Sequence, residues 1–164
     1  MPRFAANLSM MFNDVPFLDR FEAAAKAGFT SVEFLFPYDH PAEEVGKRLK
    51  ANGLTQALFN LPPGNWDAGE KGFAALPERF ADLQQSLRTA LPYAQATGVK
   101  RLHLMAGIAD RSDPRAVAAF RKSVVWAAEF VAPHGLDIVI EPIDRKSTRL
   151  NSSHAITSRM PSSA

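Results

Sequence analysis

The sequence has 164 residues, of which 46% are hydrophobic, so it is long enough to bury the core of one domain. It contains no cysteine, which excludes disulfides and thiolate metal sites and leaves carboxylate, imidazole and amide groups as metal ligands. The net charge of +2 does not indicate a nucleic-acid partner, because the segment from Asp144 onward holds four basic residues against one acid and the residues before it carry a net charge of −1.

Five short apolar runs predict β-strands, and a turn residue or a proline follows most of them. The runs cover residues 4–9, 30–36, 54–60, 99–107 and 136–140. The connections between them are too long for hairpins and carry apolar residues at helical spacing, which favours parallel α/β architecture. Periodicity alone does not separate an open doubly wound sheet from part of a barrel. No Gly-x-Gly-x-x-Gly follows the first strand, which argues against a dinucleotide site.

Helix signals fill the four gaps between the predicted strands. The expected starting points are Asn13-Asp14, Asp39, Leu76 and Ser112-Asp113. In the third helix, expected over residues 76–97, Pro92 should kink the helix or split it in two. The chain therefore reads as a series of βα units.

Two glutamates lie near the ends of predicted strands. Glu141 closes the fifth apolar run and is followed by Pro142. In a β/α barrel the residue at this end of a strand faces the active site, so Glu141 is a candidate catalytic residue, and the alternative is a strand cap in a loop. Glu33 shares a face of the second strand with Ser31 and Leu35. It is either an interior carboxylate near the barrel mouth or an outward residue half covered by a helix.

A long connection, residues 61–72, follows the third strand, and its tryptophan argues against disorder. Such a loop could fold over a small polar substrate, with Lys71 facing an anionic group. Alternatively, Glu70 and Lys71 form a solvated ion pair. In the fourth strand, His103 is interpreted as a hydrogen-bonded core residue, since a lone histidine in a strand is more often that than a ligand.

Several segments, in the same order and covering most of residues 1–143, resemble one known family. They are Arg3-Phe4-Ala5-Ala6-Asn7-Leu8-Ser9-Met10, Gly28-Phe29, Val32-Glu33-Phe34, Phe36-Pro37-Tyr38, Asn60-Leu61-Pro62 with Gly64, Trp66-Asp67-Ala68-Gly69-Glu70-Lys71-Gly72 and Ile140-Glu141-Pro142-Ile143. The family is that of the hydroxypyruvate isomerases and their 2-oxo-tetronate isomerase relatives, within the xylose-isomerase-like TIM barrels. The tryptophan loop is the specific part of this resemblance, whereas Glu-Pro after a strand is shared by many such barrels.

The resemblance implies the isomerisation of a small hydroxy-carbonyl acid, hydroxypyruvate to tartronate semialdehyde, by proton transfer assisted by Mg²⁺ or Mn²⁺. Glu141 matches the family glutamate that binds the metal and acts as one of two acid/base carboxylates. In some relatives a histidine precedes Asn60 where this chain has Phe59, which implies a different substrate contact if that histidine touches substrate. The residues expected to bind substrate are Asn7, Glu33, Asn60, Trp66, Glu70 and Lys71.

The family barrel has eight strands, and this sequence predicts five. Residues 144–164 lack apolar periodicity and resemble the translation of a common sequencing-library adapter. We therefore expect residues 1–143 to be a partial, incomplete (β/α)8 TIM-barrel domain and residues 144–164 to be a non-native tail, irregular or disordered. This truncated chain is expected to be inactive and not to bind the metal that the full-length protein would hold.

Two alternatives remain at this point. One is a 2-oxo-tetronate isomerase, or an isomerase or epimerase of another small sugar, in the same superfamily. The other is a non-catalytic α/β fragment or small-molecule binding module. No apolar run approaches the about 20 residues of a membrane span, and the first residues lack the apolar core of a signal peptide. We expect a cytoplasmic protein without membrane or nucleic-acid partners, and a homo-oligomer is compatible with the full-length protein.

Overall fold

The computed structural model describes residues 3–142, which form five strands and four α-helices in alternation. The strands are β1 (Ala6–Asn7), β2 (Ser31–Phe34), β3 (Thr55–Asn60), β4 (Arg101–His103) and β5 (Asp137–Val139). The helices are α1 (Arg20–Lys26), α2 (Ala42–Ala51), α3 (Phe80–Thr97) and α4 (Pro114–Val131). The predicted non-native tail, residues 144–164, lies outside the described residues. Within residues 3–142, no helix is both long and apolar enough to cross a bilayer.

The strands form one parallel sheet in the order β1-β2-β3-β4-β5, so every strand pairs with its neighbours along the chain. In a doubly wound sheet the strand order reverses at a switch point, whereas in a β/α barrel it follows the chain. The described part of the chain is therefore an incomplete β/α barrel, as the resemblance implied, and the doubly wound alternative is wrong.

An aromatic cluster fills the space between the sheet and its helices. Phe21 of α1, Phe34 of β2 and Phe59 of β3 are almost completely buried. Phe34 stacks on Phe59 with ring centroids 6.2 Å apart and meets the edge of Phe17 at 5.3 Å. Because alternate residues of a strand point to opposite faces, the neighbours of Phe34 and Phe59 in sequence point to the concave face of the sheet.

All five strands are shorter than the apolar runs that suggested them, and β1 and β4 are shortened most. Only Ala6–Asn7 of residues 4–9 and Arg101–His103 of residues 99–107 pair in the sheet. After β4 the chain bonds instead to the end of the loop that follows β3: Ala75 N donates to the Ala106 carbonyl at 2.6 Å, and Gly72 forms an antiparallel bridge with Ala106. Leu104 N still donates to the Val139 carbonyl at 2.9 Å, and beyond it these tertiary bonds replace the sheet ladder.

The first and third helices also differ from expectation. Asn13 does not cap a helix, because its side chain donates to the Met10 carbonyl at 3.1 Å, and a 3-10 turn at Phe17–Asp19 precedes α1. Helix α3 runs without a break through Pro92, so the expected split is wrong. Buried Leu87, Ala90 and Ala94 flank this proline, and their packing holds the helix together despite the lost hydrogen bond.

The fourth helix begins where the sequence predicts. The Asp113 side chain accepts a hydrogen bond from Arg115 N at 2.8 Å, and Pro114 occupies the first helical position. Trp126 stacks on Phe130 at 4.9 Å and meets Phe80 of α3 at 5.6 Å, so it packs between α3 and α4.

Candidate active site

Five polar side chains lie at the C-terminal ends of the five strands. They are Asn7, Glu33, Asn60, His103 and Glu141, which we call the strand-end cluster. Residues paired in register between parallel strands point to the same face, and Asn7 pairs with Glu33 while Asn60 pairs with His103. His103 also pairs with Val139, and Glu141 lies two residues further on, which returns its side chain to the same face. The cluster occupies the concave face, at the end of the sheet where β/α barrels hold their active sites.

A β-bulge in β3 determines which residue this strand contributes. Val32 pairs with Gln56 and Phe34 pairs with Phe59, so between these pairs β3 has one residue more than β2. The extra residue reverses the alternation of side chains along β3. As a result Phe59 points to the helices beside Phe34, and Asn60 points to the concave face.

Phe59 therefore does not face the strand-end cluster. It is completely buried, and its ring lies 6.3 Å from that of Tyr38 and 6.4 Å from that of Tyr93. The position at which some relatives have a histidine is thus on the helix side of the sheet in this chain, and Phe59 makes no contact with the concave face.

Asn7 and Glu33 form a hydrogen-bonded pair across β1 and β2. Asn7 Nδ2 donates to Glu33 Oε1 at 3.1 Å, and Asn7 Oδ1 accepts from Ser9 N at 3.0 Å, which fixes the amide. Burial raises the pKa of Glu33 above its usual value, the Asn7 hydrogen bond opposes this, and the negative charge of Glu141 raises it further. Of the two alternatives, Glu33 is therefore the interior carboxylate on the concave face.

Asn60 and His103 form the second pair, across β3 and β4. His103 Nδ1 lies 3.0 Å from Asn60 Oδ1, and Asn60 Nδ2 points to Met105 Sδ at 3.8 Å. Burial lowers the pKa of His103, and the charge of Glu141 opposes this. His103 is hydrogen-bonded as expected, but it also belongs to the cluster, which the sequence interpretation missed. The predicted strand of residues 99–107 placed His103 in its middle, so the sequence did not indicate that it ends β4.

The loop residues are held by contacts outside the strand-end cluster. Glu70 accepts hydrogen bonds from Asn65 N and from Arg79 Nη1, each at 2.6 Å. Lys71 Nζ lies 3.1 Å from the centroid of the Trp66 ring, a cation–π contact. Glu70 therefore pairs with Arg79, and the alternative of a solvated Glu70–Lys71 ion pair is wrong.

The loop borders a separate cavity of about 540 Å³ between the segment after β2 and the first half of α3. Trp66 lines it, is 41% exposed and packs on Phe36 with ring centroids 5.1 Å apart. None of the strand-end cluster lines this cavity. Of the residues expected to bind substrate, the structure thus brings together Asn7, Glu33 and Asn60 with Glu141, and it places the three loop residues apart from them.

Within residues 3–142, no group of three His, Asp or Glu side chains is placed to hold a metal ion. Magnesium requires near-octahedral oxygen coordination, usually from one or two carboxylates together with waters and substrate oxygens. Glu141 would be one ligand among several at a site of this kind.

The fold and the position of the cluster define a β/α barrel whose polar site lies at the C-terminal ends of its strands. A family model described as "Xylose isomerase-like TIM barrel" matches residues 21–162, and the chain belongs to this family. The match extends beyond residue 143, so the boundary of the non-native tail remains a prediction.

Individual relatives have more specific names than the family model. The chain is 54% identical over 148 residues to a 2-oxo-tetronate isomerase of Cupriavidus necator, covering 89% of this chain and 57% of that protein. It is 40% identical over 146 residues to the hydroxypyruvate isomerase of Escherichia coli, covering 88% and 57%. A crystal structure described as an AP endonuclease, family 2, from Brucella melitensis superposes with a TM-score of 0.86 at 48% identity, covering 90% of this chain and 58% of that one. The chain spans less than two thirds of the length of these relatives.

Proposed function

We propose that this chain provides the first five βα units of an isomerase that acts on a small acid with a carbonyl at C2 and a hydroxyl at C3. The names of the relatives support this class, because hydroxypyruvate and 2-oxo-tetronate share that arrangement. Higher identity to the Cupriavidus necator protein than to the Escherichia coli protein favours 2-oxo-tetronate as substrate, with hydroxypyruvate as the second candidate. This order reverses the expectation drawn from the sequence.

The observation that carries the proposal is the pair of carboxylates, Glu33 and Glu141, on the concave face at the strand ends. Isomerisation moves a proton between C3 and C2, which requires a base that can take the proton and return it to the adjacent carbon. Glu141 is exposed at the mouth and suits this role. Glu33, held by its hydrogen bond from Asn7, would border the substrate and help to position the two reacting carbons beside Glu141.

In this proposal, Glu141 is the one described residue that would bind the expected metal. A bound Mg²⁺ or Mn²⁺ would stabilise negative charge on the substrate oxygens. Its remaining ligands would come from outside residues 3–142, as would the second acid/base carboxylate of the family. For the same reason we propose that the 164-residue chain by itself does not turn over substrate.

A chimera tests the proposal. Residues 1–142 of this chain would replace the matched part of the Cupriavidus necator 2-oxo-tetronate isomerase, and isomerisation would be followed by NMR in D₂O with Mg²⁺ or Mn²⁺. We expect turnover, and a loss of about 100-fold or more in kcat for E141Q, the size usual for an acid/base group. E43Q, at an exposed glutamate of α2, is the matched control and should retain full activity. A folded chimera that is inactive, or one whose E141Q variant is fully active, would refute the proposal.

A further inference from the structure

His103 has no role in the function proposed above, although it lies within the strand-end cluster. Its register partners, Asn60 and Val139, place its half-buried ring on the concave face between β3 and the end of β5. The negative charge of Glu141 acts on the His103 ring and raises its pKa, against the effect of burial. A substrate held between Glu33 and Glu141 would therefore lie against this ring.

The hydrogen bonds of Asn60 determine which ring nitrogen of His103 carries the proton. A thioether sulfur only accepts hydrogen bonds, so the Asn60 amide nitrogen belongs on the side of Met105 Sδ and the amide oxygen on the side of His103. Because that oxygen only accepts, His103 Nδ1 must donate to it. In the neutral ring Nε2 is then unprotonated and presents a lone pair.

Asn60 is held so firmly that it can impose this arrangement. Its backbone N–H donates to the Leu35 carbonyl at 2.9 Å, and its carbonyl accepts from the Tyr38 hydroxyl at 2.7 Å. Asn60 is only 5% exposed, and the bulge of β3 directs its side chain to the concave face beside β4. The orientation of the amide thus follows from the fold and not from a ligand.

We propose that His103 contacts the substrate through Nε2, which accepts a hydrogen bond from the C3 hydroxyl, and that Asn60 is the positioning residue that keeps Nε2 free of a proton. This inference rests on the proposed function and assigns the end of the substrate that this part of the site recognises. An acceptor binds a hydroxyl but finds no proton on a carbonyl or a carboxylate. His103 therefore selects the hydroxyl-bearing carbon and turns the substrate carboxylate away.

The test uses the 164-residue chain with ¹⁵N-labelled histidine. Long-range proton–nitrogen NMR correlations at neutral pH report which ring nitrogen is protonated. We expect His103 to carry its proton on Nδ1 and N60L to abolish this preference, whereas N60D, which keeps an acceptor oxygen, should preserve it.

Titration with hydroxypyruvate should shift the Nε2 resonance of His103 and leave those of His40 and His134 unchanged. Pyruvate, which lacks the C3 hydroxyl, should bind about tenfold or more weakly.

Each outcome decides the inference. Protonation of His103 at Nε2 in the wild-type chain would overturn it, as would saturable hydroxypyruvate binding that leaves His103 unchanged or that pyruvate matches. Those results would leave the proposed function intact, because the chimera assay does not depend on them. If neither acid shifts any resonance, the substrate contact is refuted for this chain, and the chimera assay then shows whether the proposed function fails with it. Should N60L not fold, the N60D spectrum and the wild-type titrations still decide the question.

Discussion

Replacing Gly72 by alanine should detach the loop of residues 61–72 from the segment that follows β4. Gly72 has φ +99°, and an added Cβ would lie 2.5 Å from Met105 Cβ and closer still to the Met105 carbonyl oxygen. A left-handed backbone costs an L-residue about 1–2 kcal/mol. Forcing an extra carbon into a packed contact costs about 1–3 kcal/mol more. We expect G72A to lower the free energy of unfolding by about 2–5 kcal/mol, which for a chain of this size lowers Tm by about 4–20 °C.

Gly69, in the same loop, provides the matched control. Its φ is +88°, but nothing lies within 4 Å of an added Cβ. G69A should therefore lower the free energy of unfolding only by the cost of the left-handed backbone, about 1–2 kcal/mol, which corresponds to about 2–8 °C in Tm. Thermal unfolding followed by circular dichroism compares the two variants directly. If G72A and G69A melt at the same temperature, the contact of Gly72 with Met105 adds nothing and the reasoning is refuted.

The aromatic core and the loop ion pair give two further predictions. F34A removes a buried ring and should lower the free energy of unfolding by about 3–5 kcal/mol in urea titrations, whereas F4A, at a residue 71% exposed, should stay within about 0.5 kcal/mol of wild type. The Arg79 hydrogen bond lowers the pKa of Glu70, so the stabilisation by this carboxylate is complete above the ordinary pKa of glutamate and is lost as the pH falls through the lowered value. The difference in urea midpoint between wild type and E70Q should accordingly shrink on acidification, and a constant difference would contradict the ion pair.

The elements of this fold are largely predictable because their signals are local. The apolar runs predict all five strands, and the Asp113 cap followed by Pro114 predicts the start of α4. Glycine at position 98 adopts φ +68° and ends α3 at the expected place. Strand order is a different matter, since it depends on which strands meet in space. The choice between barrel and doubly wound sheet therefore required either the structure or the family resemblance.

The hydrogen-bond partners of residues in the candidate site and its loop were predicted less well, because they too depend on which segments meet in space. Glu70 and Lys71 are neighbours in sequence, which suggested an ion pair, but Glu70 binds Arg79 nine residues away. His103 bonds to Asn60 over 43 residues, and no local pattern distinguishes it from a core histidine. The apolar run of residues 99–107 extends past His103 and so hides its position at the end of β4, whereas the run before Glu141 ends at that residue.

The bulge in β3 shows how one residue of register can decide the chemistry of a site. If side chains alternated regularly from Gln56, Asn60 would point to the helices and Phe59 would enter the concave face. No glycine or proline in β3 marks the irregularity.

The bulge is closed by Gln56 Nε2, which donates to the Leu58 carbonyl at 2.6 Å, while Gln56 Oε1 stays buried without a partner among residues 3–142. Such an orphaned oxygen costs about 1–3 kcal/mol. The burial of Phe59 offsets this, since a fully buried phenylalanine contributes about 1.5–3 kcal/mol. The fold therefore retains the bulge at little net cost, and Asn60 reaches His103 because of it.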